Sequence, residues 1–90
     1  MEKNYDEDER KDLELIKEAL SKYPTYQEAM KWLSSHLSTR YGSEFSGTIS
    51  ISYNLLDNNF VLRCGHNTKE FEENELEDIP AQIKFFRKTK

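Results

Sequence analysis

Hydrophobic side chains fall into three regimes along the chain: helical spacing over residues 6–41, alternation over 48–64, and helical spacing again from 76 onward. In the first regime Leu13, Ile16 and Leu20, with Ala19 beside them, form one apolar stripe. The stripe predicts a helix from Asp6, with acids in its first turns and Lys22 in its last, as the helix dipole favours. Pro24 forbids continuation and drives Tyr23 out of the helical region, so this helix should end near Lys22. "TYQE" at 25–28 then reads as a capping box. In such a box the Thr25 hydroxyl accepts from the Glu28 backbone N–H and the Glu28 carboxylate reaches back to that of Thr25. Tyr26, Met30, Leu33 and Leu37, flanked by Ala29 and Tyr41, mark the buried face of a second helix, which Gly42 is expected to close in the left-handed conformation. The short connection implies two antiparallel helices.

After "SEFSG" the period drops to two. Ile49, Ile51, Tyr53 and Leu55 alternate with Ser50, Ser52 and Asn54, which predicts a strand with one buried face. "LDNN" at 56–59 supplies a turn. Phe60, Leu62 and Cys64 form the inward row of a second strand, with Val61 and Arg63 outward, completing a β-hairpin. A tight turn at "GHN" lets 68–72 return as a third, edge strand, whose charges discourage pairing with other molecules. Leu76, Ile79, Ile83 and Phe86 then recur at helical spacing, with Pro80 as the first residue of a short helix. The expectation is one small α+β domain over residues 1–90, with 1–5 frayed. It comprises two N-terminal helices, an antiparallel β-hairpin or three-stranded meander, and a short C-terminal helix, with the helices on one face of the sheet.

Composition limits what such a domain can hold. A chain of 90 residues buries only about 60% of its unfolded surface. The apolar fraction is 36%, against about 45–50% in ordinary domains when glycine is counted. Five Phe, five Tyr and one Trp offset part of that deficit. This suffices for one core, not for a core and a large internal ligand cavity. A single cysteine excludes an intramolecular disulfide. No signal-like segment, bilayer-length apolar run or Asn-x-Ser/Thr acceptor occurs in the sequence, so a reducing cytoplasm and no membrane association are expected.

Charge and reactive side chains bear on function. Cys64 and His66 could form a nucleophile–base pair, yet Cys64 falls on an inward row and Gly65 turns the chain before His66 can line up. A metal site would need Cys64, His66 and His36 to converge with a carboxylate, and paired short-spaced ligands are lacking. No catalytic residue, cofactor or metal is therefore assigned. Glu70, Glu72, Glu73, Glu75, Glu77 and Asp78 place six acids in nine positions. They are either a solvated face or a negative surface for a basic protein, one that could imitate DNA phosphates. Asp6, Glu7, Asp8 and Glu9 would extend it if the first helix packs nearby. Trp32 lies off the main stripe of the second helix and, if exposed, would anchor an interface. A net charge of −4 suits a basic partner or none, and repels nucleic acid. The expected function is a small non-catalytic protein-binding regulator, inhibitor or adaptor, of the kind encoded by bacteria or their phages, with a homodimer admissible. The alternative is a weak nucleic-acid-binding module using Tyr53, Phe60 and Arg63 with the basic tail Lys84, Arg87, Lys88 and Lys90.

Overall fold

Helix α1 (Glu7–Lys22) begins where the charge pattern turns helical. Asp6 caps it, accepting from the Glu9 backbone N–H at 2.8 Å, while the Glu9 carboxylate accepts from the Asp6 N–H at 3.1 Å. This is a complete capping box, at a position the spacing analysis marked only as a helix start. The computed structural model describes residues 5–89. Of the frayed start expected for 1–5, only Tyr5 lies within them, and Lys90 of the basic tail lies outside. Tyr23 is extended (φ −115°, ψ 142°) ahead of Pro24, and α1 stops at Lys22.

Helix α2 (Tyr26–Tyr41) starts at Thr25, whose hydroxyl accepts from the Glu28 N–H at 3.3 Å. Only this arm of the expected box forms among the described residues. The closing glycine is also corrected. Gly42 is right-handed (φ −53°, ψ −43°) and leads into a 3-10 helix, Gly42–Phe45. Left-handed geometry falls instead on Ser46 (φ 55°) and Gly47 (φ 81°), and the Gly47 N–H donates to the Gly42 carbonyl at 2.6 Å. The extra turn brings Phe45 into the core, a larger apolar gain than an early stop at Gly42 would give.

The sheet is an antiparallel meander in the order β1-β2-β3: β1 (Ile49–Asn54), β2 (Asn59–Cys64) and β3 (Asn67–Phe71). Registers Ile51↔Leu62 and Leu62↔Lys69 fix the three strands side by side. Leu55 is not on the buried row, as the alternation predicted, but 61% exposed in the turn, beside Leu56 at 93%. The Asn54 side chain ends the strand. It accepts from the Leu56 N–H at 3.0 Å and donates to Asp57 at 3.1 Å, so a local Asx turn replaces another rung of the ladder. The turn therefore spans 55–58, one residue earlier than expected, with Asn58 left-handed (φ 52°). Gly65 (φ 65°) opens the two-residue turn into β3.

After β3 a 3-10 helix, Glu73–Asp78, runs directly into α3 (Ile79–Thr89), which puts Pro80 at its second residue and Leu76 before it. Leu76, Ile79, Ile83 and Phe86 all join the core, with Met30, Leu33 and Leu37 of α2 and Ile49, Ile51, Phe60, Leu62 and Cys64 of the sheet. The architecture is α+β as the sequence indicated. Helix α2 packs closely along β1. There the Ser34 hydroxyl accepts from the Ile51 N–H (2.8 Å) and donates to the Ile51 carbonyl (2.7 Å).

Candidate protein-interaction surface

Five glutamates of the 70–78 segment, with Asp78, are exposed, while Leu76 turns into the core. The 3-10 geometry explains this division. It lets one apolar residue anchor the segment and leaves the acids in solvent. The side-chain partners of Glu70 and Glu73 are neutral. Glu70 accepts from the Asn59 side-chain amide at 3.1 Å, and Glu73 accepts a hydrogen bond from the Tyr26 hydroxyl. That bond to a carboxylate raises the Tyr26 pKa, since ionising the phenol would set two negative charges together. Glu72 and Glu75 form a capping box in which the Glu75 carboxylate accepts from the Glu72 N–H at 2.8 Å. None of Glu70, Glu72, Glu73, Glu75 and Glu77 has a basic partner among the described residues.

The N-terminal acids behave oppositely. Lys84 reaches back from α3 to Asp6 at 2.6 Å and lies 3.7 Å from Glu9. Arg87 meets Glu44 at 2.9 Å and Asp8 at 3.6 Å, and Arg40 meets Asp8 at 3.3 Å. The hydrogen bond from Lys84 holds Asp6 below the usual carboxylate range and raises the lysine in return. Asp6, Asp8 and Glu9 are thus clasped by cations from α2 and α3. They do not extend the acidic surface of 70–78 as the sequence allowed; Glu7 pairs locally with Lys11.

Beneath this clasp lies Asp12, only 2% exposed. Its carboxylate accepts from the Tyr41 hydroxyl at 2.7 Å and lies 3.1 Å from Arg40 Nε. The Arg40 contact is close in distance but lacks hydrogen-bond alignment. Burial accordingly outweighs both partners and raises the Asp12 pKa. Burial, with the hydrogen bond to Asp12, also pushes Tyr41 up to about 12. Sequence spacing held a signal for this cluster: Asp12 sits four residues before Ile16, on the apolar stripe rather than opposite it.

Trp32 is partly buried rather than free. Its ring packs 4.0 Å from His36 and 6.3 Å from Tyr23, centroid to centroid, with Lys22 Nζ 5.3 Å away. It makes no ring contact with the acidic segment among the described residues. Cys64 and His66 do flank one shallow concavity with Phe45 and Phe86, but Cys64 is buried and its thiol is pushed up to about 12. Phe60 is wholly buried, edge-on to Tyr26 and beside Tyr53, so the hairpin aromatics form a core cluster. Among the described residues no group of His, Cys, Asp or Glu converges to hold a metal ion, and no helix is long and apolar enough to cross a membrane. Comparison with known proteins finds no matching family model, curated protein or solved structure.

Proposed function

We propose that this protein is a small non-catalytic binding regulator, inhibitor or adaptor, presenting Glu70, Glu72, Glu73, Glu75, Glu77 and Asp78 to a basic surface of a protein partner. One observation carries the reading. Lys84, Arg87 and Arg40 are engaged by the N-terminal acids and Glu44, so the glutamates of the 70–78 segment are left without a basic partner among the described residues. Such a concentration of like charge accelerates encounter with a basic groove. A DNA-binding protein that the segment occupies as a phosphate mimic is one partner of this class. The single buried thiol suits a reducing cytoplasm, and a bacterial or phage origin fits the size.

The nucleic-acid alternative has less support. Phe60 is unavailable for stacking, and Lys84 and Arg87 already hold carboxylates. The test is a variant with Glu72→Gln, Glu73→Gln, Glu75→Gln and Glu77→Gln. Glutamine keeps an acceptor for Tyr26 and for the Glu72 N–H, so charge is removed with little change to the fold. Capture by both proteins from host lysate, with mass spectrometry, identifies the partner, and association rates are then compared at low and moderate salt. A slower, less salt-dependent rate for the variant supports the reading. Equal rates under both conditions overturn it, and DNA or RNA binding that falls steeply with salt favours the alternative.

A further inference from the structure

The two free edges of the sheet are not equivalent. Both backbone groups of Ile51 bond to Ser34, so the Ile51↔Leu62 pair is not a hydrogen-bonded one, and Ile51 directs its N–H and C=O away from β2. The β1 edge is therefore covered at its centre by α2. By the same alternation Leu62 bonds across to Lys69, its partner on β3. Thr68 and Glu70 consequently aim their N–H and C=O groups outward, and no backbone group among the described residues meets them. Residues 67–70 are all exposed. The Glu72 N–H is taken by Glu75, which limits the open edge to Thr68 and Glu70.

We propose that the β3 edge accepts a basic extended segment of the partner as a fourth strand, by β-augmentation. The choice of a basic occupant rests on the acidic-surface reading above. Glu70 stands on the outward row of β3, with Glu72 to Glu77 beyond its end. Beside Glu70, Asn59 is 6% exposed, and its amide oxygen accepts no hydrogen bond among the described residues. A cation arriving at Glu70 thus meets a charge without a basic counterpart among the described residues. Lys69 and Phe71 lie on the opposite row. The strand that fits alternates, with Lys or Arg across from Glu70 and apolar residues across from Lys69 and Phe71. A second copy of this chain fits less well, because β3 paired with itself brings two acidic segments together.

The probe is an acetylated Lys-Val alternating peptide, with a Glu-Val peptide of the same length as control. Binding is followed by amide hydrogen exchange in the isotope-labelled protein. The expected result is slowed exchange at Thr68 and Glu70 with Lys69 unchanged, and binding of the Glu-Val peptide weaker by about tenfold or more. Thr68→Pro removes an outward donor that the β2–β3 ladder does not use, and should weaken the Lys-Val peptide by about tenfold. If Thr68→Pro does not fold, the exchange pattern of the wild type decides alone. Binding that slows neither amide, or that Thr68→Pro leaves intact, overturns strand addition while the acidic surface stands. No binding up to about 1 mM peptide also overturns it, and the association rates of the glutamine variant then judge the acidic reading separately. Equal binding of the two peptides overturns the basic occupant. Concentration-dependent protection of both amides without peptide assigns the edge to a second copy.

Discussion

Replacing Asp12 by alanine removes the acceptor beneath the clasp between α1, α2 and α3. Breaking a buried ion pair usually costs about 3–5 kcal/mol. That figure is too large here, because the Arg40 side chain is 26% exposed and has Asp8 at 3.3 Å as a second anion. Its charge is not stranded. The Tyr41 hydroxyl is the group left behind, and an orphaned buried donor costs about 1–3 kcal/mol. With the small void left by the carboxylate, Asp12→Ala should cost about 2–3 kcal/mol. Stability of about 0.05–0.15 kcal/mol per residue places the whole fold at roughly 5–13 kcal/mol, so the loss is easily seen.

Asp12→Asn separates acceptor from charge. Burial raises the Asp12 pKa, which means the ionised form gains less from its partners than it loses in leaving water. An amide that still accepts from Tyr41 should therefore cost less than about 1 kcal/mol. Urea denaturation at neutral pH, with m values compared to verify two-state behaviour, measures both variants. If asparagine costs as much as alanine, the charge matters and the argument fails. If alanine changes the free energy by less than about 0.5 kcal/mol, the cluster does not hold the helices together.

Thr25→Ala removes the one formed arm of the α2 cap; at 3.3 Å in an exposed setting the cost should sit at the low end, about 0.5–1 kcal/mol by denaturation midpoint. Cys64 should resist thiol labelling in the native protein at neutral pH, because burial pushes its pKa to about 12. Cys64→Ala should cost about 1–2 kcal/mol through lost packing, and rapid native labelling would contradict its placement. The pH limbs of stability have opposite signs at two acids. Asp6 is lowered by Lys84, so its contribution is present above the unfolded pKa near 3.8 and lost as pH falls through the folded value. Asp6→Asn, which keeps a cap acceptor, should remove that acid limb. Asp12 is raised, so its linkage favours the fold below the unfolded pKa and fades as pH rises through the folded value. Asp12→Asn should remove that decline, as urea titrations at stepped pH will show.

Periodicity made the order of elements legible, because burying an amphipathic face is a one-dimensional pattern. The failures occur where a local choice depended on tertiary gain. Gly42 had the residue type for a helix stop, but burying Phe45 favoured another turn. Leu55 continued the alternation, but Asn54 had a side chain able to satisfy the turn, and an apolar residue was left exposed. Ser34 read as a polar position on α2. Its role in closing the β1 edge needs the strand beside it. The acidic run from Glu70 was legible as composition, whereas the Tyr26 and Asn59 contacts that fix two of its carboxylates were not.

Two acidic clusters with similar sequence signatures end in different physical situations, and the difference comes from where α3 lands. Lys84 stands midway along α3 and Arg87 in its last turn, where the dipole alone accounts for a basic residue. In the fold they reach Asp6 and Asp8, nearly the full length of the chain away. This contact neutralises the first cluster and engages the cations that a phosphate would otherwise meet. The second cluster keeps its repulsion. Salt should thus act on the two in opposite senses, weakening the exposed part of the α1–α3 clasp while relieving repulsion among Glu70 to Glu77. Stability is then expected to change little with moderate salt, because these opposed contributions are both small at exposed sites. Association with a basic partner has no such compensation and should slow as salt rises. A salt dependence present in binding but weak in folding is the signature of charge kept for recognition.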